Sequence, residues 1–188
     1  MRTVWPLCML AAYGSLGAQS PATDIFLIPL RVESETISLG TPRNVTAWPG
    51  YDNQPFWTSD GSAIYFASVR HGNQADIYRY LVAGGGLDRV TATAPESEYS
   101  PVVIEHGKAI SVVRVERDST QRLWRFPLDG SQPAPMLERI VRVGYYTWLD
   151  DSVAALFCLG SPNALVLASA HRADTVARSV GRGLQKIP

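Results

Sequence analysis

A unit of about 46 residues recurs along this chain, and no other feature constrains its fold so tightly. Gln54-Pro55-Phe56-Trp57-Thr58-Ser59-Asp60-Gly61 lies over Ser100-Pro101-Val102-Val103-Ile104-Glu105-His106-Gly107, which sets Pro55 and Pro101 46 residues apart. Trp148, within Tyr146-Thr147-Trp148-Leu149-Asp150-Asp151, falls 91 residues after Trp57, two such periods on. Asp76-Ile77-Tyr78-Arg79-Tyr80 and Arg122-Leu123-Trp124-Arg125-Phe126 keep the same step. Arg43-Asn44-Val45-Thr46 is echoed by Asp88-Arg89-Val90-Thr91. A fixed period of this size means stacked copies of one supersecondary unit, none able to bury its own faces alone.

Within each unit, runs of strand length carry β-branched and aromatic residues and end in Gly, Pro, Asp or Asn. Such runs are Ile25 to Leu30, Pro55 to Thr58, Ala63 to Val69, Asp76 to Leu81 and Ile110 to Val115. Arg122 to Leu128, Tyr145 to Leu149, Val153 to Leu159 and Ala164 to Ala170 continue the series. Ser59-Asp60-Gly61 and Gly84-Gly85-Gly86 supply the positive φ of tight turns. No window holds helical spacing, so the fold class is all-β. Four short strands in about 45 residues make a β-propeller blade of antiparallel strands. Residues 54–94, 100–141 and 145–179 read as three full blades. Residues 24–50 read as the outer two strands of a partial blade, and 183–188 as the opening of another. Closed rings need about four to eight blades. The expectation is therefore an N-terminal portion of a longer protein, or an incomplete gene model.

Composition narrows the function classes. Seventeen Lys and Arg balance 17 Asp and Glu, giving a formal net charge of zero. That neutrality removes the basic footprint of a nucleic-acid binder and the polybasic patch of a membrane-surface protein. Residues 1–18 read as a secretory signal peptide, with Arg2, an apolar stretch from Val4 to Leu16 and small residues ending at Ala18. After cleavage there the protein would not span a membrane and would be periplasmic or secreted. One cysteine, Cys158, would remain in an apolar run, where it reads as a buried structural thiol.

Asn53 to Ser68, continuing through Arg70-His71-Gly72-Asn73-Gln74-Ala75-Asp76-Ile77-Tyr78, resembles the WD40-like repeat of the TolB family of periplasmic propellers. That family's Ser-Pro-Asp-Gly turn stands here as Thr58-Ser59-Asp60-Gly61. Glu105-His106-Gly107 and Asp150-Asp151-Ser152 depart further. The resemblance implies a six-bladed ring that binds proteins or other ligands at the channel mouth and is not itself an enzyme.

The residues themselves carry no catalytic pattern. Gly-x-Ser-x-Gly is absent, and His71, His106 and His171 form no metal motif, so neither a metal nor a cofactor is implied. Asn44-Val45-Thr46 is a lone glycosylation sequon. In a propeller, loops from rim strand to next inner strand converge on the channel mouth. Here they would present Asp52, Asn53 and Gln54, then Glu96, Glu98 and Tyr99, then Gly144 and Tyr145. Acidic and amide groups beside tyrosines suit a polar or cationic peptide, so the expected partner is a protein or peptide. The alternative is the gating propeller of a prolyl-oligopeptidase-type serine peptidase, with its catalytic domain beyond residue 188. A sugar-binding propeller fits less well, because Trp57, Trp124 and Trp148 fall on strands.

Overall fold

The computed structural model describes residues 22–129 and 131–186; the signal-peptide reading of residues 1–18 lies outside them. The first segment holds β1 (Phe26–Leu27), β2 (Leu30–Glu33), β3 (Thr36–Leu39) and β4 (Arg43–Asn44). A four-stranded sheet follows: β5 (Asp52–Trp57), β6 (Ala63–Ser68), β7 (Asp76–Leu81) and β8 (Leu87–Arg89). The second such sheet is β9 (Ser97–Ile104), β10 (Ala109–Val115), β11 (Gln121–Pro127) and β12 (Ala134–Met136). The third is β13 (Val143–Trp148), β14 (Ala154–Cys158), β15 (Ala164–Ala168) and β16 (Ala173–Arg178). Every pairing between these strands is antiparallel and joins neighbours in sequence within each four-stranded sheet. No helix among the described residues is long and apolar enough to cross a membrane.

The partial blade differs from a simple pair of strands. The expected single strand from Ile25 to Leu30 is broken into β1 and β2 around Pro29, which has no N–H to give a ladder. β1 pairs with β4, while β2 and β3 form a separate hairpin inserted between them. The outer-strand character persists in hydrogen bonding. Val45 N donates to Ile25 O at 2.9 Å, as Val90 N donates to Ile77 O at 2.7 Å. Thr46 and Thr91 repeat as well: each hydroxyl accepts the backbone N–H of Ile25 or Ile77.

Side-chain alternation along the second strands builds the core, because residues of one strand point to opposite faces. Ile64 and Phe66 join Ile25, Tyr78 and Tyr80 in a layer between the partial blade and the first sheet. Tyr65 and Ala67 face the other way, onto Ile110, Val112 and Phe126 of the second sheet. Val113 and Leu123 then pack on Val143, Tyr146 and Leu156 of the third. Three apolar layers thus lie between successive sheets. A strand buried on both faces reads as a continuous apolar run, which is how Ala63–Ser68 and Ala109–Val113 look in sequence.

Candidate functional site

The inner strands β5, β9 and β13 start earlier than turn chemistry suggests. Asp52, Asn53 and Gln54 therefore lie on β5, Glu98 and Tyr99 on β9, and Tyr145 on β13, at strand heads instead of in loops. Glu96 alone of the expected site residues stays in a connection, the one between β8 and β9. A β-bulge reconciles polar residues with strand: the register slips between Asn53 and Phe56, between Tyr99 and Val102, and between Val143 and Tyr145. At the first two bulges Gln54 and Ser100 adopt φ of 58° and 51°, left-handed values unusual for non-glycine residues. The bulges also accommodate Pro55 and Pro101, which cannot donate to a regular ladder. Gln54 links the two strands, its Oε1 accepting from Ser100 N at 2.8 Å.

Burial separates the acidic residues from the rest. Asp52 is enclosed; Ser68 donates to its carboxylate, and Arg70 Nη2 stands 3.0 Å from Oδ2. Arg70 in turn lies over the rings of Trp48 and Tyr78, 5.0 and 5.2 Å from their centroids. Glu98 is fully buried as well. It accepts from the hydroxyls of Thr91 and Thr93, and Arg114 Nε is 3.4 Å from Oε1. Burial pushes the Glu98 carboxyl above its ordinary value, against those hydrogen bonds and the nearby Arg114. Glu96 meets the same guanidinium at 3.5 Å. Asp52, Glu96 and Glu98 are thus neutralised internally, which removes the acidic attraction for a cationic segment that the sequence suggested.

What stays at the surface is aromatic and amide. Tyr51 and Tyr99 meet edge to face with centroids 6.4 Å apart. Burial raises the Tyr51 phenol, with Tyr99 and Tyr145 adding to the shift. Tyr145 also packs on Phe157 at 6.2 Å and carries Arg182 over its ring at 5.7 Å. Tyr51, Asn53, Gln54, Tyr99 and Tyr145 are all half-buried. Sequence reasoning missed Tyr51 and Arg182. An aromatic directly before the first polar residue of an inner strand was the available signal for Tyr51; Arg182 had none. Among the described residues no cluster of three His, Cys, Asp or Glu is arranged to hold a metal.

No protein-family model matches the chain, and no curated protein matches it in sequence. Solved structures do match its fold. TolB from Acinetobacter baumannii superposes with a TM-score of 0.61 at 14% identity, over 81% of this chain and 41% of that one. A chain of a nidogen/laminin complex gives 0.62 at 13% identity, over 79% and 57%. A puromycin-hydrolyzing peptidase of Mycobacterium tuberculosis gives 0.54 at 16% identity, over 80% of this chain but only 24% of that one. The chain therefore spans less than two thirds of the length of each. Identities this low show a shared fold and nothing further.

Proposed function

We propose that this chain, built on the propeller fold it shares with TolB, is an exported binding protein without catalytic activity. It holds a protein or peptide segment across the heads of β5, β9 and β13. The observation that carries the reading is the half-buried pair Tyr51 and Tyr99, with Tyr145 half-buried near the head of the next inner strand, flanked by the amides of Asn53 and Gln54. Tyrosine gives a large contact area while fixing only two side-chain torsions, and an adjacent amide offers both donor and acceptor to a peptide backbone. Left-handed Gln54 and Ser100 support it, since strained non-glycine residues concentrate where a backbone must be re-aimed toward a ligand. With Asp52 and Glu98 paired internally, the preferred segment is polar and uncharged. Export rests on the signal-like residues 1–18, which place the mature N-terminus at Gln19.

A photoreactive benzoylphenylalanine at position 53 of the full chain, expressed in a bacterial host, tests the reading. Adducts with a peptide segment are expected, and Tyr145→Ala should lower their yield about tenfold or more, as loss of an aromatic anchor does. Adducts indifferent to that substitution would remove the site. A product retained inside the cell with Met1 as its first residue would remove the export.

The fold likeness to a peptidase keeps one other reading in view, that of a propeller gating a hydrolase. Coding sequence that continues past Pro188 into Gly-x-Ser-x-Gly would favour it over a free-standing binding protein.

A further inference from the structure

The turn between first and second strand carries a carboxylate in all three sheets, and in the first and third an aspartate is spent on the turn itself. Asp60 accepts from Ser62 N at 3.0 Å, and Asp150 accepts from Ser152 N and Val153 N at 2.7 and 2.8 Å. The middle sheet breaks this rule. Its turn is Glu105-His106-Gly107-Lys108, with Glu105, His106 and Gly107 at φ of 53°, 53° and 88°, three left-handed residues in succession. The Glu105 carboxylate turns away to grip Arg125 through Nε and Nη2, which leaves His106 and Lys108 as the ionisable groups of the turn.

Beside this turn lies a cavity of about 580 Å³ between the second and third sheets, within the size range of small-molecule sites. Glu105, its carboxylate held by Arg125, borders it with His106 and Lys108 from one sheet, and Asp150 and Asp151 border it from the other. Ile104, Met136, Trp148 and Leu149 supply apolar wall. Trp148 is fixed there by its own hydrogen bond, Nε1 to Ser111 Oγ at 2.9 Å. Lys186 reaches the same cavity from 78 residues further along the chain than Lys108. These two are the chain's only lysines among 17 cationic residues, and neither forms an ion pair among the described residues. The cavity follows the ends of β9 and β13, whereas the tyrosines occupy their heads, so the two sites sit at opposite ends of the inner strands.

We propose that this cavity is a second binding site, taking a short zwitterionic peptide of about two residues with apolar side chains. Lysine and histidine on one rim suit the terminal carboxylate. Asp151 on the facing rim, whose carboxylate the turn does not use, suits the ammonium, and the tryptophan and aliphatic wall between them suits the side chains. An extended dipeptide separates its charged ends by roughly 7 Å. A simple anion would meet the carboxylates of Asp150 and Asp151, and a simple cation would meet both lysines; a zwitterion uses both rims. The site is independent of the tyrosine platform and does not require it to bind anything.

Reductive ¹³C-methylation of the full chain labels both lysines and keeps their charge, so two side-chain NMR signals report from the cavity itself. Titration with Leu-Phe should move both along one saturating curve. N-acetyl-Leu-Phe and Leu-Phe-amide, each lacking one charge, should bind at least about tenfold more weakly at equal ionic strength. Asp151→Asn, an exposed turn change, should weaken Leu-Phe to a similar degree, and Lys108→Gln should abolish the response of the Lys186 signal. Signals that fail to saturate by about 10 mM would overturn the proposal. Equal shifts with all three peptides would overturn it too, since they would report only charge screening at surface lysines.

Discussion

The second and third sheets are made of the same kinds of strand, yet they sit at different depths. In the second, Ala109–Val113 is buried throughout, with Ile110 and Val112 packed on one neighbour and Val113 on the other. In the third, β14 is almost as deep, but β15 is half-buried along Ala164–Leu167 and β16 is exposed at five of its six residues. Ala-Leu-Val-Leu-Ala of β15 is as apolar as anything in β10. Among the described residues, the third sheet packs against a neighbouring sheet on only one of its faces. Depth in a stacked architecture is therefore conferred by neighbours and not by a strand's own composition. Charge follows the same rule: Arg114 meets a fully buried Glu98, whereas Arg172 and Asp174 pair in the open, their side chains 80% and 51% exposed.

The sharpest way to break this contrast is to remove the cation from each pair. Arg114→Met leaves the buried Glu98 charge without its guanidinium and should cost about 3–5 kcal/mol, read from urea unfolding midpoints. Arg172→Met should cost less than about 0.5 kcal/mol. Equal losses would show that the two environments do not differ. Leucine truncation gives the apolar version. Leu123→Ala, in the layer between second and third sheets, should lose about 2–5 kcal/mol. Leu165→Ala, on the face of β15 turned away from that layer, should lose well under half as much.

Acid titration sharpens the electrostatic side. Burial raises the folded-state carboxyls of Glu98 and Asp76 above their unfolded values, so these groups oppose folding once ionised. Their contribution improves as pH falls through the folded value toward the unfolded one, near 4.5 for Glu and 3.8 for Asp. Asp60 works in the opposite sense: hydrogen bonds from Ser62 and Thr58 hold it at about 2, so its contribution is lost on acidification below about pH 4. Glu98→Gln should therefore compare most favourably with the native chain near neutrality and lose ground steadily on acidification. A pH-independent difference between the two would mean that Glu98 titrates as an exposed carboxyl. The smallest effect on stability belongs to the β2–β3 hairpin. Leu30, Val32, Ile37 and Leu39 share one of its faces and are each 60–66% exposed. Val32→Thr with Ile37→Thr should shift stability by no more than about 0.5 kcal/mol while reducing self-association in light scattering.

Much of this molecule was legible before its structure. The repeat, the all-β class and the four-stranded blades follow from local signals: a period of two along each strand and turn residues between strands. The hairpin was not, because Ile25 to Leu30 reads as one apolar run and nothing local says that Pro29 divides it. The heads of the inner strands were misplaced for a related reason. Asp52, Asn53, Gln54, Glu98 and Tyr99 look like loop chemistry, and only a bulge paired against β6 or β10 lets such residues stay in a strand. Candidate residues were thus found by position along the repeat, while their roles divided in a way the repeat does not encode.

Sequence alone determined the unit, its length and the kind of residue at each step, since these depend on neighbours a few positions away. Tertiary structure decided which carboxylates are hidden. Asp52 is covered by Ser68 on β6 and Arg70 just after it, whereas Glu98 is enclosed by Thr91 and Thr93 before β9 and Arg114 on β10. It also set Tyr51 against Tyr99 at one end of the inner strands, and Lys108 with Lys186 at the other. Partners in these clusters come from different strands, turns or sheets, and only the packing of one sheet on the next fixes their distances.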